Sequence, residues 1–196
     1  VGVAWPAKVP VFGALTERIP RLIGSLPGLA AAGISPNQLA GALTLYLPLV
    51  LGGYEPLPDL VVTQIIATAD DVQVVIENVG PGAVTDDFWI DVYIDPDPVP
   101  TGVNQVWYDG RSEQGIVWGV TASQTPMASG DTITLRINDA YYSAYYSTFA
   151  GPLPAGTEVW AQVDAVDLET TYGGVLETHE DNGGAYNNIT HVTVGQ

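Results

Sequence analysis

Alternating apolar and polar positions mark much of the chain after residue 58. In the segment Asp87–Asp95 one side of the period-two pattern carries Phe88, Ile90, Val92 and Ile94. The other side carries Trp89, Asp91, Tyr93 and Asp95. One apolar side repeating at every second residue predicts a strand that is half-buried in an antiparallel sheet.

Six further segments are rich in β-branched residues or alternate in the same way: Asp59–Thr68, Val72–Val79, Gly115–Ala122, Asp131–Asp139, Glu158–Val166 and Asn188–Val194. Glycine, proline and aspartate separate them, and no helical period lies between them. The sequence therefore predicts a mainly β protein whose residues 58–196 form an Ig-like antiparallel β-sandwich of about seven strands.

Residues 1–57 have a different pattern and are called the arm below. No charged residue occurs from Leu22 to Tyr54. Ser35-Pro36 predicts the start of a short helix that ends near Tyr46, and Pro48 predicts an extended segment after it. Because prolines divide the apolar run into short pieces, a membrane-spanning helix is not expected. Burial against protein is the preferred interpretation.

Charge is divided unevenly between these two regions. The chain has a formal charge of −17; residues 1–58 sum to +1 and residues 59–196, with two arginines against 20 acids, sum to −18. We call residues 58–196 the body. Such a strongly acidic region argues against nucleic acid as a partner. The absence of cysteine excludes disulfides. This composition, with a single lysine, favours an extracellular or cell-surface bacterial protein, and the first residue, Val1, suggests a processed form.

Five motifs of the body occur in an order that resembles a known family. They are "PDLVVTQI" (Pro58–Ile65), "VVIENVGPGAVTDDFWIDVYID" (Val74–Asp95), "MASGDTITL" (Met127–Leu135), "LPAGTEVWAQVDAVD" (Leu153–Asp167) and "VLETHEDNGGAYNNI" (Val175–Ile189). The series resembles the CARDB family, the cell-adhesion-related Ig-like domains of bacterial surface proteins, over roughly residues 58–194. The arm is not covered, and a long insertion after Asp95 departs from the family pattern.

The resemblance implies a structural or adhesive module with an Ig-like sandwich and no catalytic residues. The sequence itself agrees, because it lacks a Gly-x-Ser-x-Gly elbow, a cysteine and a glycine-rich phosphate loop. We therefore predict that the protein is not an enzyme and needs no cofactor other than, as one hypothesis, calcium. Calcium prefers six to eight oxygen ligands. The candidate ligands lie in predicted loops, where solvated turn carboxylates are the alternative interpretation: Asp95, Asp97, Glu177, Glu180 and Asp181.

Aromatic residues supply the other candidate sites. The tyrosines of "YYSAYYS" favour either a sugar-binding or interface surface or a cover for the sandwich, and these alternatives stay open: Tyr141, Tyr142, Tyr145 and Tyr146. Trp107 and Trp118 are interpreted as core or loop anchors. Asn188 begins an Asn-Ile-Thr triplet and is a candidate glycosylation site.

The arm suggests the function. So many apolar residues need a protein surface to cover them, and the body has a predicted core of its own. We hypothesise a subunit of an extracellular, pilus-like filament that polymerises with other copies of itself through the arm. The assembly interface would include Leu22, Ile23, Leu26, Leu39, Leu43, Leu45, Leu47, Leu49, Val50 and Leu51. The alternative is a monomeric cell-surface adhesion or carbohydrate-binding module.

Overall fold

The computed structural model describes residues 55–121 and 123–195, which form two antiparallel sheets facing one another. The strands are β1 (Leu60–Ala67), β2 (Val72–Asn78), β3 (Phe88–Ile94), β4 (Gln114–Val120), β5 (Thr132–Arg136), β6 (Glu158–Val163) and β7 (Ile189–Thr193). One sheet has the order β1-β2-β5 and the other the order β4-β3-β6-β7. All seven predicted strands are confirmed. The arm before Glu55, with its predicted helix and its candidate assembly residues, lies outside the described residues.

A hydrophobic core fills the space between the two sheets. Each central strand contributes its period-two side chains, so Val72, Val74 and Ile76 of β2 are fully buried opposite Ile90 and Val92 of β3. Leu135 is buried there as well, and Ile133 and Ile137, two positions before and after it, pack against the core.

The prediction that β3 is only half-buried is wrong. Its outer side carries Tyr93, which is fully buried, and Asp91, which is 1% exposed. A second hydrophobic cluster covers this outer side and consists of Tyr93, Trp107 and Val117, with Trp89 and Trp160 packed against it. Period-two patterning did not reveal this cluster, because Trp107 comes from the long insertion between β3 and β4.

The edge strands of the two sheets differ in whether another segment covers them. The edge of β4 is covered by the segment 141–148: the Ser143 N–H donates to the Val117 carbonyl and the Gly119 N–H donates to the Tyr141 carbonyl, both at 2.9 Å. The other edge strands are β1, β5 and β7, and no described strand pairs with the outer sides of β1 and β7. These two strands also contact each other across the sandwich.

One short helix, α1 (Thr178–Asn182), precedes β7 and was not predicted. Glu180 Oε2 accepts the N–H of Glu177, the residue before the helix, at 3.0 Å, and Gly183 ends the helix with a φ of 73°. A positive φ is readily adopted by glycine, so the chain can turn here toward β7. The helix places Glu177 and His179 beside the start of β1.

Candidate functional site

Two glycines of β4 make room for large aromatic rings on the outer side of the four-stranded sheet. A Cβ at Gly115 would overlap the Trp107 indole, and a Cβ at Gly119 would lie 2.8 Å from the Trp89 ring. Both glycines sit at the outward-facing positions of β4, with Val117 between them. The sheet therefore offers a flat floor on which tryptophans from β3 and from the insertion lie.

Hydrogen bonds hold the insertion over this floor. The Tyr93 hydroxyl donates to the Gln105 carbonyl at 2.8 Å, and the Trp107 N–H donates to Asp91 Oδ2 at 3.1 Å. The Trp107 indole N–H reaches the Tyr146 carbonyl at 3.0 Å. The insertion and the tyrosine segment are thus tied to the sheet and to each other.

Between these segments lies an open cavity of about 450 Å³, which we call the cleft. Its aromatic lining is Trp89, Tyr108 and Tyr146. The rings of Tyr108 and Tyr146 are stacked with centroids 6.2 Å apart, and Trp89 meets Tyr146 edge-on at 6.0 Å. Tyr108 is 54% exposed and Tyr146 is 41% exposed, so these rings remain accessible to a ligand.

The rest of the cleft is acidic. Asp87, Asp91, Asp167 and Glu169 line it, and no Lys or Arg of the described chain does. Asp91 lies at the bottom, where burial raises its pKa to about 7, although the Trp107 N–H partly offsets that effect. The pKa of Tyr108 is raised as well, first by burial and then by the charge of Asp91. Aromatic rings combined with carboxylates are chemically suited to an organic cation or to a sugar.

A second polar cluster joins α1 to the start of β1, and we call it the clamp: Asp59, Glu177, Thr178, His179 and Asn188. Glu177 is fully buried, and its Oε2 accepts the Leu60 N–H at 2.8 Å while its Oε1 accepts the Asn188 Nδ2 at 2.7 Å. The Thr178 N–H donates to the Pro58 carbonyl at 2.8 Å. The clamp therefore ties the first residues of the body to the segment before β7.

The buried carboxyl of the clamp is strongly perturbed. Burial raises the pKa of Glu177 to about 9, against the opposing effect of the Leu60 N–H and Asn188 hydrogen bonds. Asp164 lies nearby, and burial raises its pKa to about 7 although it accepts the N–H groups of Val175 and Gly174. Both acids are hydrogen-bonded to the chain itself, which is the arrangement expected of structural carboxyls.

The structure separates the candidate calcium ligands. Asp95 Oδ1 accepts the N–H of Glu158 at the first residue of β6, whereas Glu177 binds Asn188, whose carbonyl accepts the N–H of Val163 at the last residue of β6. Asp95 and Asp97 thus lie at one end of the sandwich, and Glu177, Glu180 and Asp181 lie at the other. These five residues do not form one site.

Among the described residues one group has the geometry to hold a metal ion, namely Asp59, Glu177 and His179. His179 Nδ1 lies 3.2 Å from Asp59 Oδ1 and 3.5 Å from Glu177 Oε2. Two carboxylates and an imidazole fall short of the six to eight oxygens that calcium prefers, and a mixed oxygen and nitrogen set suits a transition metal better. Both Glu177 oxygens already accept hydrogen bonds, whereas the buried His179 Nε2 and Asn188 Oδ1 have no hydrogen-bond partner among the described residues.

The four candidate tyrosines fall into two pairs. Tyr141 and Tyr142 pack against the core, and Tyr142 meets Trp118 edge-on. Tyr145 is 88% exposed and touches Tyr146 at the rim of the cleft. The second pair is therefore the accessible one. The prediction that Trp107 and Trp118 are anchors is confirmed, because both are buried.

The candidate glycosylation site has an unfavourable position. Asn188 is fully buried, and the amide nitrogen that would carry a glycan donates to Glu177. A glycan does not fit on this nitrogen in the folded body. The triplet is explained instead by the hydrogen bonds of the clamp.

Sequence reasoning missed Asp91 and Asp164. The alternation predicts Asp91 on the solvent side of β3, and only the aromatic residues beside it, with the paired glycines of β4, indicate that this side is covered. Asp164 follows β6 with a φ of 50°, a local geometry that the sequence did not indicate.

Comparison with known proteins leaves the resemblance as an expectation, since no family model matches the chain and no curated protein matches it. Among the described residues, no helix has the length and apolar character needed to cross a membrane.

Proposed function

We propose that the protein is the subunit of an extracellular, pilus-like filament in which the arm of one copy docks on the body of another. The observation that carries the proposal is the two-sheet body, in which side chains of β2, β3 and β6 are buried together in one core. The 33 uncharged positions from Leu22 to Tyr54 lie outside the predicted sandwich, and so long an apolar run needs a protein surface to cover it. Burial of such a segment against protein stabilises an assembly.

The edges of the sandwich support docking by strand addition. We infer an Ig-like sandwich, for which the strand orders β1-β2-β5 and β4-β3-β6-β7 are suitable. The outer sides of β1 and β7 have no described strand partner and carry no lysine, which proteins often use to protect an edge. The segment Leu47–Tyr54, which the sequence predicts to be extended, is our candidate for the added strand. A contact of this head-to-tail kind gives a filament when its rotation does not close.

The uneven charge of the chain supports a filament in which the arms lie inside and the bodies face outward. Residues 59–196 sum to −18, so neighbouring bodies repel one another laterally while the nearly neutral arms can pack together. Repulsion between exposed charges is screened beyond ~8–10 Å at physiological salt. Moderate salt is therefore expected to promote bundling of filaments.

Assembly of the intact chain is the direct test. We expect concentration-dependent filaments by sedimentation and negative-stain microscopy, and we expect Leu49→Asp/Leu51→Asp to abolish them. The matched control is Val79→Asp/Val99→Asp, which adds the same charge at two exposed valines of the body (49% and 37% exposed) and should still polymerise. An intact chain that stays monomeric at high concentration in moderate salt would overturn the proposal.

A monomeric adhesion or carbohydrate-binding module is the second candidate, favoured by the accessible rings of Tyr108, Tyr145 and Tyr146. Saccharide binding that is lost in Tyr145→Ala, by a chain that does not assemble, would establish this alternative. Trp118 is unsuitable as a sugar contact because it is fully buried.

A further inference from the structure

The cleft has the chemistry of a cation site. Three aromatic rings and four carboxylates face the same cavity, and no cationic side chain of the described body enters it. Aromatic faces attract ammonium and guanidinium groups, and carboxylates form charge-assisted hydrogen bonds with them. A volume of about 450 Å³ accommodates a lysine or arginine side chain.

Asp91 is the group that most needs such a partner. Its side chain is 1% exposed and lines the cleft. Asp91 Oδ2 accepts the Trp107 N–H, and within the described part of the chain no hydrogen bond reaches Oδ1. A buried carboxylate with a single hydrogen bond is costly, and a cation held beside it offsets that cost.

The chain itself carries few cations that could serve. It has five, and two of them belong to the body: Arg111, which donates to the Pro98 and Val99 carbonyls, and Arg136 of β5 in the other sheet. The remaining three, Lys8, Arg18 and Arg21, lie in the arm with one acid, Glu17, among them. The arm is thus the complement of the cleft in charge.

We propose that the cleft of one copy binds the arm of a second copy through a Lys or Arg side chain from the segment 8–21. The proposal rests on the proposed function, because it names the place where part of the docking arm is held. Arg21 and Leu47 are 26 positions apart, so the chain between them can span up to ~90 Å when extended. One arm can therefore reach both a cleft and a strand edge.

Lys8 is the only lysine of the chain, which permits a sharp cross-linking test. Three full-length chains would each carry one lysine in the arm: the natural chain, Lys8→Arg/Arg18→Lys and Lys8→Arg/Arg21→Lys. A water-soluble carbodiimide condenses a lysine amine with a carboxylate to an amide, while the carbodiimide takes up the elements of water as a urea. Mixing ¹⁴N and ¹⁵N chains before assembly shows by mass spectrometry whether an amide joins two copies.

The expected result is an amide between copies from at least one of the three lysines to Asp87, Asp167 or Glu169, the more accessible acids of the cleft. If filaments form but all amides join the arm to acids elsewhere, or only within one copy, the inference fails and the proposed function stands. If no chain assembles under any condition, the proposed function fails.

A variant pair gives an independent readout of the same site. Asp167→Asn/Glu169→Gln removes two charges from the cleft, and Asp70→Asn/Asp97→Asn removes two exposed charges that do not line it. We expect the critical concentration for assembly to be about 3- to 10-fold higher for the first variant than for the second. Equal critical concentrations would overturn the inference. The same holds if the first variant gains saccharide binding while its critical concentration is unchanged.

Discussion

The clamp and the cleft each bury a carboxyl, but they surround it differently. Glu177 has a hydrogen-bond donor from the chain on each oxygen, whereas Asp91 has one such donor and an open cavity on its other side. Burial raises the pKa of both acids. The difference teaches that burial alone does not mark a binding site. What distinguishes the cleft is a buried carboxyl that lines an open cavity and accepts a single hydrogen bond from the chain.

Removing each carboxyl in turn tests this contrast through the free energy of unfolding. Glu177→Ala leaves the Leu60 N–H and the Asn188 amide buried without acceptors, so we expect a loss of about 2–6 kcal/mol in the free energy of unfolding. Asp91→Ala leaves only the Trp107 N–H, beside a cavity that water can enter, and we expect about 1 kcal/mol. Urea titrations of both variants provide the measurement.

Glu177→Gln keeps one acceptor oxygen and serves as the intermediate variant if Glu177→Ala does not fold. Its loss should fall between those of the two alanine variants. Similar losses for Glu177→Ala and Asp91→Ala would show that the two acids have equivalent structural roles.

The floor of the cleft gives the next largest effect. Gly115→Ala places a Cβ into the Trp107 ring, and overpacking of this kind costs about 1–3 kcal/mol. Gly102→Ala is the matched control, because the nearest atom to its Cβ lies 3.9 Å away. Thermal unfolding of the two variants checks the prediction. A Gly115→Ala chain as stable as the control would mean that Trp107 is not fixed on the sheet.

The dependence of stability on pH separates the two acids. Folded-state pKa values above those of the unfolded chain mean that the folded state binds more protons, so stability falls as pH rises. For Asp91 the loss occurs between about 3.8 and about 7, and for Glu177 between about 4.5 and about 9. Each group contributes up to about 1.4 kcal/mol per pH unit inside its window.

Urea midpoints from pH 5 to pH 9 test these two windows. Asp91→Asn should flatten the decline only below pH 7, and Glu177→Gln should flatten it up to pH 9. Asp164 titrates in the same lower range and remains in both variants, so some decline should persist in each of them. A wild-type chain that gains stability from pH 5 to pH 7 would contradict the direction of all three pKa shifts.

The strands were predictable because each one carries its own pattern. In β2 the buried and partly buried residues alternate along the whole strand, so local sequence determines the side that faces the core. The outer side of β3 was not predictable from its own residues. Its burial depends on Trp107, which comes from an insertion with no regular period, and on the glycines of β4 that admit the indole rings.

The sites were less predictable than the strands for a related reason. The sequence predicts Glu177 only as an acid in a loop, yet its role depends on Leu60 and Asn188, which are 117 and 11 residues away in sequence. Tyr146 was also chosen, but its partner Tyr108 lies in the insertion. Contacts between distant segments determine which acids are buried and which aromatic rings line the cleft.

The clamp also determines how the body would carry mechanical load. A pull on an arm enters the body at Leu57 and Pro58, whose carbonyls accept hydrogen bonds from Thr178. From there the force passes through Glu177 to Asn188 and so to β7, while β1 is held along its length by β2. In a filament under tension the load would therefore be shared between both sheets at the point of entry. The subunit would resist peeling of β1 and would instead require several hydrogen bonds to break together.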